Sequence, residues 1–231
     1  MRTIAWGVSL AATLVLAISS AASAAVVTAS APGVFQQDLG AGVATFESVS
    51  PVNSGGTTTS PGPFSDGPGD WSGVGVIANG TTAGVYAQPL NDSTDYLAVV
   101  ANPVRTPETL ELNSPATMLN LYWGSIDTYK VIQFFLGATL IDTVTGTQTL
   151  PLLADGNQTS DLSNRLVTIT LASIFDTVVF SSVGQNSFEF DNVSANAVPI
   201  PAALPLFAGG VGLLGWLARR KRRAAQALLP A

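Results

Sequence analysis

The side chains available for chemistry in this 231-residue chain are carboxylates, hydroxyls and aromatic rings, because it contains neither histidine nor cysteine. Without histidine there is no Ser-His-Asp or Cys-His catalysis and no His-ligated transition metal. Without cysteine there is no disulfide framework, thiolate nucleophile or Cys-type zinc site. Paired carboxylates remain as an acid/base device, the arrangement glycoside hydrolases use. Fifteen acids place some pair close by chance, however, so a pair alone is no signature. Carboxylates also supply the hard oxygens that calcium prefers. Glu47 lies in the first expected strand of the domain's middle and Asp191 in the last, so the two meet if those strands pair. Asp155, Asn157, Thr159 and Asp161 also space oxygens at alternate positions, but without the glycine and distal glutamate of an EF-hand loop. Tyr122, Trp123 and Tyr129 surround one turn, and Trp71 stands beside a Gly-rich stretch. Exposed rings of this kind stack on sugar faces, whereas buried ones are core.

These residues must be positioned by strands. Val43–Val49 reads as a first strand, followed by a loop over 50–70 packed with Ser, Thr, Gly and Pro. Further strands are expected at Val85–Gln88, Tyr96–Ala101, Thr109–Leu112, Ala116–Trp123, Lys130–Phe135 and Thr139–Val144, with Leu136-Gly137-Ala138 joining the last two as a hairpin. In Arg165–Leu171, Val167, Ile169 and Leu171 alternate with Thr168 and Thr170, the period of two of a strand with one buried face. Asp176–Val183 and Ser187–Val193 complete the series, with Phe188 and Phe190 on one face and Glu189 and Asp191 on the other. No helical period is sustained before residue 200, and no 20–50-residue repeat is present. The expected fold is an all-β antiparallel β-sandwich of jelly-roll type over residues 25–197. In many jelly-roll carbohydrate-binding modules, acids from the first and last strands hold a structural calcium, the role considered for Glu47 and Asp191.

The two ends are of another kind. Met1–Ala24 has Arg2, then an uncharged apolar run, then Ala22-Ser23-Ala24, the small-x-small pattern of signal-peptidase cleavage, so residues 1–24 read as a signal peptide handed to the secretion machinery. Ile200–Ala218 carries no charge and, at ~1.5 Å per residue, just spans the ~30 Å of a hydrocarbon core as a single transmembrane helix. Arg219, Arg220, Lys221, Arg222 and Arg223 then form a basic stop that stays cytoplasmic under the positive-inside rule. Between the ends, three basic residues stand against fifteen acidic ones, a net charge of −12. Such a surface repels phosphate backbones, so nucleic acid is excluded as a natural partner.

The sequence VPIPAALPLFAGGVGLLGWLARRKRR at 198–223 resembles the PEP-CTERM sorting signal of Gram-negative bacteria, in its V-P-x-P-A-A-L-P-L variant. Val198, Pro199 and Pro201 supply the motif, the apolar segment 200–218 follows, and the Arg-rich cluster 219–223 closes it. Ile200 stands where the family commonly has glutamate, and a short tail, 224–231, runs on. The resemblance implies recognition and cleavage near the motif by an exosortase, a membrane-anchored intermediate, and release or attachment at the cell surface, often alongside exopolysaccharide production. Leu121–Tyr129 (LYWGSIDTY), the hairpin after it, and Phe175–Val193 are similar to exosortase-dependent surface proteins of cyanobacteria and proteobacteria, a family that implies no activity.

The expected function is a non-catalytic exported surface or extracellular-matrix protein, without a cofactor unless calcium is held structurally. Two alternatives stay open: a carbohydrate-binding module working through Trp123, Tyr122 or Trp71, and a carboxylate glycoside hydrolase.

Overall fold

The computed structural model describes residues 24–34, 42–101, 107–150 and 153–197. The signal-peptide reading, apart from Ala24, and the whole of 198–231, including the sorting motif, the apolar span and the basic cluster, lie outside the described residues. The described chain is all-β. Its strands are β1 (Val26–Ala29), β2 (Val52–Asn53), β3 (Phe64–Asp66), β4 (Gly69–Gly73), β5 (Val76–Ala78), β6 (Tyr96–Val99), β7 (Glu108–Gly124), β8 (Lys130–Leu136), β9 (Thr139–Thr145), β10 (Arg165–Ser182) and β11 (Phe188–Ala197). One helical turn, α1 (Gly146–Thr149), follows β9. Among the described residues no helix is long and apolar enough to cross a membrane.

Two long strands organise the rest. The C-terminal part of β7 pairs with the N-terminal part of β10, Arg165 opposite Trp123 through Thr170 opposite Met118. The register then shifts, and the N-terminal part of β7 pairs with the C-terminal part of β10, Thr177 opposite Glu111 through Phe180 opposite Glu108. Pro115 sits in this stretch of β7, where a missing amide donor breaks no ladder bond. Each long strand therefore serves two half-sheets. One half runs β3-β4-β7-β10-β8-β9, and the other runs β2-β5-β6-β11-β7-β10-β1; every pair is antiparallel except β2 with β5.

The core lies between the halves. Phe180 of β10 stacks on Phe190 of β11 with ring centroids 4.4 Å apart, and Trp71 of β4 stacks on the same Phe190 at 6.1 Å. These strands share no ladder with one another, so the rings link them across the core. Rings of this size dominate core energetics, and truncating one to alanine typically costs about 3–5 kcal/mol. Val167, Ile169 and Leu171 point into the same core, as their alternation requires. The hairpin of β8 and β9 also forms, with Gly137 at φ 55° in its two-residue loop.

Several local expectations are corrected. Val43–Val49 is not a strand; its backbone pairs with the sheet through an Ala44–Val193 bridge. Phe46 takes a φ of 61°, and its N–H donates to the side-chain Oδ2 of Asp66 in β3 at 2.8 Å instead of to a strand carbonyl. Val85–Gln88 is likewise a turn, closed by a Thr82–Tyr86 bridge. The stretch 50–70 contains β2, β3 and the start of β4 instead of being loop throughout. Finally, the four segments expected at 109–112, 116–123, 165–171 and 176–183 fuse into β7 and β10, with the register shift falling inside the long strands.

Candidate functional site

Strand β11 alternates as its sequence requires, with Phe188 and Phe190 in the core. Glu189 and Asp191 point the other way, yet both are buried. The cover is the connection between β5 and β6, residues 79–95, which lies across the outer face of β11 and the end of β7. The Ala87 N–H donates to Glu189 Oε1 at 2.9 Å, the Leu90 N–H to Asn164 Oδ1 at 3.1 Å, and the Tyr122 hydroxyl to the Leu90 carbonyl.

Two polar clusters occupy this covered face. In the first, Lys130 Nζ donates to Glu189 Oε2 at 2.9 Å, to the Ser125 carbonyl at 2.7 Å, to the Gly124 carbonyl at 3.0 Å and to Ser125 Oγ at 2.8 Å. Ser125 Oγ in turn donates to Glu189 Oε2 at 3.1 Å, and Ser187 Oγ donates to Glu189 Oε1. Burial pulls the Lys130 ammonium below its usual range, and the Glu189 charge opposes that pull. The lysine beside this serine hydroxyl is held by a carboxylate and two carbonyls.

The second cluster pairs Asp92, on the covering connection, with Asp191 of β11. Thr94 bridges them: its N–H donates to Asp92 Oδ1 at 2.9 Å, and its hydroxyl reaches Asp92 Oδ1 and lies 3.3 Å from Asp191 Oδ2. Asn192 Nδ2 also donates to Asp191 Oδ2, at 3.0 Å. Asp92 Oδ2 and Asp191 Oδ1 are buried without a hydrogen-bond partner. Burial first, and then the charge of Asp92, push the Asp191 carboxyl up to about 8; burial raises Asp92 as well. Glu47 lies near enough for its charge to add to the Asp191 shift. Glu47 is itself exposed, and its Oε1 accepts the Asp95 N–H at 3.2 Å. The strand pairing expected to bring Glu47 against Asp191 does not form, and Asp92 is the acid that Thr94 links to Asp191. Among the described residues no three His, Cys, Asp or Glu side chains group closely enough to hold a metal ion by themselves.

The aromatic candidates lie elsewhere in the packing. Trp123 stacks on Phe188 at 4.6 Å, and Trp71 donates its indole N–H to the Asp66 carbonyl at 3.0 Å. Both are fully buried, and so is Tyr122. None offers a free face to a sugar, which corrects the stacking role considered for them: a ring in a strand between two layers is worth more as core. Tyr129 donates its hydroxyl to the Asn186 carbonyl at 2.8 Å. Asp155 and Asn157 close turns on their own loop, Asp155 Oδ1 accepting the Asn157 N–H and Asn157 Oδ1 the Thr159 N–H, each at 3.0 Å.

An open groove of about 500 Å³ runs along β3, β4 and β7, lined by Phe64, Ser65, Asp70, Ser72 and Glu111 among others. Asp70 and Glu111 stand directly opposite each other on adjacent strands. Comparison with known proteins finds no matching family model, no matching curated protein and no matching solved structure.

Proposed function

We propose that this chain is a non-catalytic exported surface or extracellular-matrix protein of a Gram-negative bacterium, sorted and cleaved through residues 198–223 by an exosortase-type protease. The observation that carries the reading is the order of three signals: V-P-x-P, an uncharged span, and five consecutive basic residues. They begin at the residue after Ala197, where β11 ends in a pair with Ala116. The delivered part is then a β-sandwich of jelly-roll type. Two half-sheets facing across Phe180, Phe190 and Trp71 support that finer reading. Its net charge of −12 suits an exposed location outside the cell, where like-charged surfaces stay apart. Replacing Pro199 and Pro201 by alanine is expected to leave the chain uncleaved and membrane-bound, read by cell fractionation; unchanged surface delivery contradicts the proposal.

The groove supports a second reading, carbohydrate binding, with Phe64 half-buried at its wall and Asp70 and Glu111 available to sugar hydroxyls. The same two acids are the pair a glycoside hydrolase reading would use. Pull-down on the cells' own polysaccharide with wild type and Glu111→Ala separates these readings: retention lost in the variant supports binding, and release of reducing ends supports hydrolysis.

A further inference from the structure

We propose that Asp92 and Asp191 bind one calcium ion beneath the 79–95 connection, on the covered face of β11. Asp191 is fully buried and Asp92 is 8% exposed. Each turns one oxygen to a hydrogen-bonding neighbour and leaves the other, Asp92 Oδ2 and Asp191 Oδ1, without a partner. The Thr94 hydroxyl links the two carboxyl groups, reaching Asp92 Oδ1 and lying 3.3 Å from Asp191 Oδ2. A buried carboxylate oxygen with neither donor nor cation is costly.

Among the described residues no side chain of the right sign is at hand. Among the described residues the basic side chains are Lys130, held by Glu189, and Arg165, whose Nε donates to the Ser30 carbonyl at 2.6 Å. The charged groups that do face the pair, Asp95 beside Asp92 and Glu47 beside Asp191, are also acidic. The pair therefore sheds its charge either to a proton or to a cation. A cation satisfies both bare oxygens at once and draws favour from Glu47 and Asp95 at the rim, whereas a proton leaves those charges unopposed.

The donor set selects the ion. Oxygens alone, with no nitrogen or sulfur, are what calcium and magnesium take. Calcium accepts six to eight ligands in irregular geometry, so two carboxylates can be completed by the Thr94 hydroxyl, carbonyls and water; magnesium demands a near-ideal octahedron. Two carboxylates instead of three or four place the affinity with extracellular modules, roughly 10⁻⁴–10⁻³ M.

The test uses the protein purified from the cells that make it, stripped with a chelator at pH 8 and titrated with Ca²⁺ alone by calorimetry, with thermal melts in parallel. Wild type is expected to bind one ion and to rise in Tm with Ca²⁺ concentration. D191N and D92N are expected to lose affinity at least tenfold, while D155N, in the separate 155–161 loop, binds as wild type. Asparagine is isosteric and neutral, so both variants melt at or above stripped wild type, which verifies their folding. Absence of Ca²⁺ binding in wild type overturns the proposal and leaves a shared proton as the answer. Wild-type affinity in D191N and D92N, or loss confined to D155N, overturns it equally.

Discussion

Lys130 and Glu189 form an ion pair 2.9 Å long from which solvent is wholly shut out. The pair joins the start of β8 to β11 across the two halves of the sheet, and Lys130 also gathers the carbonyls of Gly124 and Ser125 at the end of β7. Three strands thus meet at one ammonium group. Truncating the lysine strands a buried carboxylate, so K130A is expected to lose about 3–5 kcal/mol. The double variant K130M/E189Q removes both charges and is expected to lose clearly less than the sum of its single changes. Denaturant unfolding measures both; a loss under about 1 kcal/mol in K130A would mean the pair contributes little.

Glu108 gives the fold a dependence on pH. Burial pushes its carboxyl up to about 7, although its Oε2 accepts the Gly75 N–H at 2.7 Å. The folded chain therefore holds this proton at pH values where the unfolded chain has lost it. The associated stability is fully present below about 4.5 and is lost as pH rises through about 7. The span corresponds to roughly 3 kcal/mol. E108Q is expected to remove this share of the pH dependence, leaving the part due to Asp92 and Asp191. Urea unfolding from pH 5 to 8 in chelator reads the difference; identical slopes in the two proteins would contradict it.

Two glycines should respond differently to alanine. A Cβ on Gly69 would lie 2.0 Å from the Glu111 carbonyl oxygen, so the close approach of β4 to β7 needs glycine there. In the hairpin loop, a Cβ on Gly137 meets nothing within 4 Å, and only its positive φ resists substitution. G137A is expected to cost about 1 kcal/mol, and G69A about 1–3 kcal/mol or more because backbone must move. Thermal melts give the order, and G69A equal to or milder than G137A would count against the strand contact.

The strand-rich middle was legible because period-two alternation survives tertiary context: β8, β9, both ends of β10 and the start of β11 lie within about a residue of where their patterns put them, whereas β11 runs on past Val193 to Ala197. The alternation of Phe188 and Phe190 with Glu189 and Asp191 reported facing correctly but not exposure. Nothing local announces that residues 79–95 fold across the outer face. For the same reason Asn91-Asp92 carries no more than a turn signal in the sequence, and only the fold sets Asp92 against Asp191. Lys130 had a faint signal, as one of three basic residues in an acidic domain and the opening residue of an apolar strand. Glu47 was placed in a strand that Phe46, with its left-handed backbone and core ring, does not form.

The sorting reading concentrates on one terminus, and intact mass spectrometry of the mature protein reads it. The comparison is between cells that carry the processing protease and cells that lack it. Cleavage near Val198–Pro201 only where the protease is present is the expected result, with the span and basic cluster gone from the mature chain. A protein ending at Ala231 in both would contradict processing and leave residues 200–223 as a permanent anchor.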